Sequence, residues 1–196
     1  LAGAGNVALG SGALTAGDAN NTEFSGAISG VGTFTKQGAG SLTLSGTNTY
    51  QGATAINGGT LLLSGGSALP DASAVSLNAT TAAVLEVAAG SDETIGTLEG
   101  GLATSSVKLN ANATLRTDGG ATALIAPLTG AGALVKIGAG ILQLDGNSSA
   151  FTGAITASAG GLKLGSNTNA LGTAAGATSI ETGAYVDLNG KSVSEP

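Results

Sequence analysis

Cysteine, histidine, methionine and tryptophan are absent from this 196-residue chain, and aromatic residues make up only 3% of it. Without cysteine there is no disulfide framework, and without cysteine or histidine no zinc site of the common structural kinds. The lack of histidine also removes every nucleophile mechanism that uses an imidazole base. Charge is scarce: charged residues are 9%, with 6 Lys/Arg against 12 Asp/Glu, a formal charge of −6 and a pI near 4.3. No basic stripe is available to neutralise phosphates, and Phe24, Phe34, Phe151, Tyr50 and Tyr185 are not interleaved with cations. The sequence therefore predicts no nucleic-acid partner and disfavours anionic membrane surfaces. Uninterrupted apolar runs long enough to span a bilayer, about 18 residues, are also missing.

Glycine, in contrast, is abundant, at 35 residues, and 42% of the chain is hydrophobic with a mean hydropathy of +0.34. That combination opposes charge-driven disorder and describes a folded chain built from small residues. The first residue is Leu1 rather than Met, and no charged stretch followed by an apolar one opens the sequence. It reads as a segment of a longer protein, with no signal peptide in view.

Internal repetition organises the chain. The stretch from Ile28 to Leu44 recurs from Leu128 to Leu144 at a lag of 100 residues, carrying Gly, Lys and Leu in step. Further on Gly52 aligns with Gly153, Leu61 with Leu162 and Leu63 with Leu164, so one residue is inserted in the intervening turn. Two units are predicted, 1–100 and 101–196, stacked as one continuous solenoid.

Within the unit the period is two. Gly30, Gly32, Phe34, Lys36, Gly38, Gly40, Leu42, Leu44, Gly46, Asn48, Tyr50 and Gly52 share one parity, and their neighbours are largely Thr, Ser, Ala and Gln. Alternation of this kind describes short strands with one buried and one wet face, whereas a helix would show a period of 3.6 and would be weakened by the glycines. Strands are predicted at 33–36, 41–45, 54–56, 60–63, 74–77, 84–87 and 106–109, then at 133–136, 142–144, 162–164 and 185–188. Short strands with glycine corners suit a sandwich, a propeller or a solenoid. Scarce aromatics favour the solenoid, whose narrow core is filled by Leu, Ile, Val and Ala. Coils of about 20–25 residues give about eight or nine of them, rising ~4.8 Å each to a length of roughly 40 Å.

At these residues the sequence resembles the autotransporter-associated β-strand repeat of type V secretion passengers. The pattern G-x-G-x-L-x-K-x-G-x-G-x-L-x-L-x-G-x-N-x-Y-x-G-x-T-x-I is filled in the first copy by Gly30 through Gly52, Thr54 and Ile56. The second copy supplies Gly130, Gly132, Leu134, Lys136, Gly138, Gly140, Leu142, Leu144 and Gly146, then departs. There Asn147 and Phe151 replace the N-x-Y spacing before Gly153, and Ala157 stands where Ile is expected. The resemblance implies an all-β, right-handed parallel β-helix, exported through a C-terminal outer-membrane barrel of the same chain and displayed on the surface of a Gram-negative bacterium. The partners it implies are the neighbouring coils, that barrel, and a host protein or glycan.

Candidate chemical sites read as structural. Gly190-Lys191-Ser192 has six residues after the preceding Gly183 where a phosphate loop needs four. Gly3-Ala4-Gly5-Asn6-Val7-Ala8 matches a dinucleotide pattern without the strand-helix unit that gives it meaning. Glu86, Asp92, Glu93 and Glu99 form the densest acidic stretch; adjacent Asp92 and Glu93 point to opposite faces of a strand, and the stretch is expected to be solvated. Lys36 and Lys136 share the inward parity, so each is expected to end its strand and send its ammonium out to water at the corner. Asn48 is expected to bond backbone or to adopt a left-handed turn beside Tyr50. Arg116, the single arginine, is a remote candidate for a lyase base near Asp118. The sequence therefore predicts no catalytic residue, no metal and no cofactor, and a structural β-helical segment of a surface passenger. Direct adhesion is the alternative, and a β-helix polysaccharide lyase or hydrolase a distant one.

Overall fold

The computed structural model describes residues 1–78, 80–119, 123–173 and 175–193. Twenty short strands follow one another, and no helix occurs among the described residues. They are β1 (Val7–Ala8), β2 (Ala13–Ala16), β3 (Thr22–Phe24), β4 (Ile28–Ser29), β5 (Thr33–Lys36), β6 (Ser41–Leu44) and β7 (Thr54–Ile56). Next come β8 (Gly59–Leu63), β9 (Val75–Leu77), β10 (Ala83–Val87), β11 (Asp92–Gly100), β12 (Ser106–Leu109), β13 (Thr114–Gly119) and β14 (Leu128–Gly130). The last are β15 (Ala133–Lys136), β16 (Ile141–Leu144), β17 (Ile155–Ala157), β18 (Gly161–Leu164), β19 (Thr178–Ile180) and β20 (Tyr185–Asp187).

Every strand pairing is parallel, and each strand pairs with the one that lies a coil away. The result is a β-solenoid of about eight turns, with three faces visited in constant order. The first face carries β1, β4, the connecting segments at 48–50 and 67–69, the start of β11, then β13, β15, β17 and β19. The second carries β2, β5, β7, β9, the end of β11, Leu124, β16, β18 and β20. The third carries β3, β6, β8, β10, β12, β14 and Phe151. Coil length varies from 19 residues (Thr114 to Ala133) to 24 (Gly59 to Ala83).

Alternation drives each strand into place. In β6 Leu42 and Leu44 are fully buried while Ser41 and Thr43 face outward, and β10 repeats the pattern with Ala83, Leu85 and Val87 inside. One core runs through both halves of the chain, and full burial of each Leu or Ile contributes about 1.5–3 kcal/mol. Glycine works at the corners. Gly38 has φ +75° and a β-carbon there would lie 2.4 Å from the Asp18 carbonyl oxygen, so only glycine lets one corner nest on the next.

The copies of the repeat do not sit above one another. From β5 on the second face the chain makes four circuits, returning at β7, β9, Leu98–Gly100 and Leu124, and then passes over β14 to reach β15 on the first face. The 100-residue interval is therefore four coils and two-thirds of a fifth, and each motif strand of the second copy lies one face away from its counterpart.

Candidate functional site

The motif's distinguishing feature is a sealed lysine. Lys36 ends β5 and has no solvent exposure. Its Nζ donates to the carbonyl oxygens of Gln37 (2.8 Å), Gly38 (3.0 Å) and, one coil on, Gly58 (2.9 Å). Lys136 ends β15 in the same way, fully buried, donating to Ile137, to Gly138 (3.0 Å) and to Ala159 of the following coil (3.3 Å). The expected strand ends are found, but the expected exit to water is not. The inward parity continues to the end of the side chain, and glycine corners turn their carbonyls into a cradle that replaces the hydration shell. Asp118 Oδ1 lies 3.8 Å from Lys136 Nζ. Burial lowers the pKa of both ammonium groups, offset in part by Asp18 for Lys36 and Asp118 for Lys136.

Next along the motif, Asn48 splices three coils. Its Oδ1 accepts from the Ile28 N–H of the coil before (2.7 Å) and its Nδ2 donates to the Ala68 carbonyl of the coil after (2.6 Å). The backbone-bonding role is observed; a left-handed turn is not, because only Asn112 and Asn189 among the described non-glycine residues have positive φ. In the second copy Asn147 is exposed and caps only its own turn, through the Ser149 N–H at 3.3 Å. Asn48's place is taken by Ser148, whose Oγ accepts from the Leu128 N–H (3.0 Å). The inserted residue thus falls in the turn between Ser148 and Phe151, and Phe151 is buried as Tyr50 is. Tyr50 packs against Phe34 with ring centroids 6.1 Å apart, and its hydroxyl meets Thr54 Oγ1 (2.5 Å), which in turn meets Ser73 Oγ (2.9 Å). Burial pushes the Tyr50 hydroxyl up to about 12.

The remaining motif positions divide between core and corner. Leu42, Leu44, Leu134, Leu142 and Leu144 are core. Gly30 and Gly130 have φ of +114° and +91°, and Gly138 has +66°. Gly32, Gly40, Gly46, Gly52, Gly132, Gly140, Gly146 and Gly153 lie so close to the preceding coil that a β-carbon on any of them would meet its backbone at 2.6 Å or less.

The acidic stretch needs correction. Asp92 and Glu93 do face opposite ways, but Glu93 is 1% exposed rather than solvated. Its carboxylate accepts from the N–H groups of Leu69 (2.7 Å) and Ala68 (3.2 Å), which have no strand partner at that point of the first face. Burial pushes its pKa up to about 7 against the pull of those two donors. Glu86 is half-buried and bound by Lys108 Nζ and Asn110 Nδ2, both at 2.8 Å. Burial acts to raise its pKa, but those bonds outweigh it and hold the carboxyl below its ordinary value. Arg116 pairs with Asp92 at 3.6 Å on the outside. Gly190-Lys191-Ser192 lies at a turn closed by the Lys191 N–H on the Leu188 carbonyl. No group of three or more Asp or Glu among the described residues is placed to hold a metal ion.

These cradles lie within the segments that match a known family, the passenger-associated-transport-repeat, at residues 34–63 and 134–164. Among curated proteins the chain is similar to the adhesin BmaC autotransporter of Brucella suis biovar 1 (strain 1330), with 34% identity over 158 residues. The alignment covers 79% of this chain and 5% of that protein, so the chain spans about one twentieth of its relative's length. No solved structure matches the chain at a significant level. The sealed lysines and their glycine corners thus lie inside two copies of a recognised repeat, and the chain is a segment of an autotransporter passenger, a protein that Gram-negative bacteria display on or release from the cell surface.

Proposed function

We propose that this chain is a non-enzymatic structural segment that supports export and folding of its passenger and projects an adhesive or virulence region away from the cell. Its partners are the neighbouring coils and a C-terminal outer-membrane barrel of the same chain. The observation that carries this reading is the lysine cradle. Gln37 and Gly38 offer two carbonyls before the next coil forms, and Gly58 completes the set only when that coil docks in register. Each cradle therefore rewards correct addition of one coil, as a chain that emerges unfolded and stacks progressively requires. Composition supports the same reading, since a chain without cysteine cannot be cross-linked before it crosses a narrow barrel.

The test is surface display of the full-length passenger, scored by protease accessibility on intact cells. Replacing Lys36 and Lys136 together by Met is expected to lower the displayed, protease-resistant fraction several-fold. Unchanged display and unchanged resistance would sink the proposal.

A further inference from the structure

The two copies agree inside and differ outside. Across the third face of the first copy Ser41, Thr60 and Val84 stand in register, with Thr43, Leu62 and Glu86 in the next outward column. The corresponding positions of the second copy, on the second face, hold Ile141, Gly161 and Tyr185, then Gln143, Lys163 and Asp187. The inward residues between them keep their character: Leu42, Leu61 and Leu85 in one copy, Leu142, Leu162 and Val186 in the other. Core packing therefore does not account for the outward changes.

Two of the changes are coupled. The Tyr185 ring lies across Gly161, where a β-carbon would come within 2.4 Å of its Cζ, so the threonine of the first copy could not stand there without moving the ring. Asp145 lies over Gly165 in the same way, with Oδ1 1.0 Å from where a β-carbon would be. Its Oδ1 accepts from the Ser166 N–H (3.0 Å) and from Gln143 Nε2 (3.2 Å). Ser64 and Ser45 occupy these two positions in the first copy. Tyr185 is 47% exposed and Ile141 44%, whereas the other four aromatic residues are all at 3% or below.

The outer side of β16, β18 and β20 thus presents a flat aromatic ring beside an isoleucine, an amide held by a carboxylate, an ammonium, and a second carboxylate steadied by the Asn189 N–H at 2.8 Å. We propose that this surface binds a neutral oligosaccharide of hexopyranose units. The C–H face of one sugar ring stacks on Tyr185, and hydroxyls of that ring and the next bond Gln143, Lys163 and Asp187. Such a sugar has one apolar face rimmed by hydroxyls, and its polarised C–H bonds suit the negative face of the tyrosine π-system. Side chains already laid flat over glycine lose little freedom on binding. Asp145 and Asp187 against the single Lys163 leave the patch negative, which opposes sulfated or sialylated glycans.

An array of neutral oligosaccharides (glucan, mannan, galactan and chitin fragments), with heparin and sialylated glycans beside them, tests this on the 196-residue chain after its β circular dichroism has been checked. Saturable binding of a neutral class is expected, with saturation-transfer signals from the Tyr185 ring. Tyr185→Ala is expected to weaken it about tenfold, and Tyr185→Phe to retain most of it. Gly161→Thr, which restores the first copy's residue and displaces the ring, should reproduce the loss with an unchanged dichroism spectrum. Failure to bind any neutral class, a preference for the anionic glycans, or binding indifferent to both Tyr185→Ala and Gly161→Thr would overturn the proposal. The export role is judged by display of the Lys36 and Lys136 variants, so either reading can fail alone.

Discussion

At Lys36, inward parity and charge act on the same side chain. A fully buried ammonium would be untenable without its three carbonyls, and those carbonyls would be left unpaired without it. Lys36→Met keeps the stem and deletes the donor; it is expected to cost about 3 kcal/mol in urea unfolding, and a loss below about 0.5 kcal/mol would mean that the cradle holds nothing. The parity of Lys36 was legible in the sequence, but its sealing was not, because the closing carbonyl comes from Gly58, a full coil later. Glu93 poses the mirror problem. Its folded pKa of about 7 lies above its ordinary 4.5, so between those values the folded chain keeps a proton that the unfolded chain has released. Stability contributed by this group is therefore complete below pH 4.5 and falls as pH rises towards 7, by on the order of 3 kcal/mol. Glu93→Gln should flatten that slope in thermal or urea unfolding, and a slope that persists in the variant would assign it elsewhere.

At the scale of elements, β5 and β7 were readable to the residue because their alternation is unbroken. β11 was missed for a physical reason. Glu93, Ile95 and Leu98 are its inward residues, so the parity breaks across Gly96 and Thr97, where the strand bends from the first face to the second. A rule built on strict alternation cannot follow a strand around a corner. Corners also explain which glycines matter. A β-carbon on Gly153 would lie 1.6 Å from the Gly132 carbonyl oxygen, whereas one on Gly58 would meet nothing closer than 3.5 Å. Gly153→Ala is expected to lose about 2 kcal/mol or more and Gly58→Ala to stay within about 0.5 kcal/mol, both by equilibrium unfolding. Equal effects would mean that nesting of corners is not what those glycines serve.

For the whole molecule, the stacked register fixes distances along the axis. Thr43, Leu62, Glu86, Lys108 and Thr129 form one outward column on the third face. Spin labels at Thr43 and Thr129 are therefore expected to have backbones about 19 Å apart, four coil spacings. A separation beyond about 25 Å by double electron–electron resonance would refute the register. The solenoid itself was foreseeable from short alternating strands and the poverty of aromatics. The placement of the copies was not, since a lag of 100 residues says nothing of how many coils it spans when coils range from 19 to 24 residues.

That interval of four coils and two-thirds has a consequence for how such a rod is met. Copies spaced at a whole number of coils would form a keel along one side. Further copies added at this interval would regain the starting azimuth only at the fourth, winding around the shaft as a stripe winds around a pole. Whatever such copies display would look outward in all directions by turns, so a rod could engage a surface without first rotating to face it, and linked copies could add avidity from any approach.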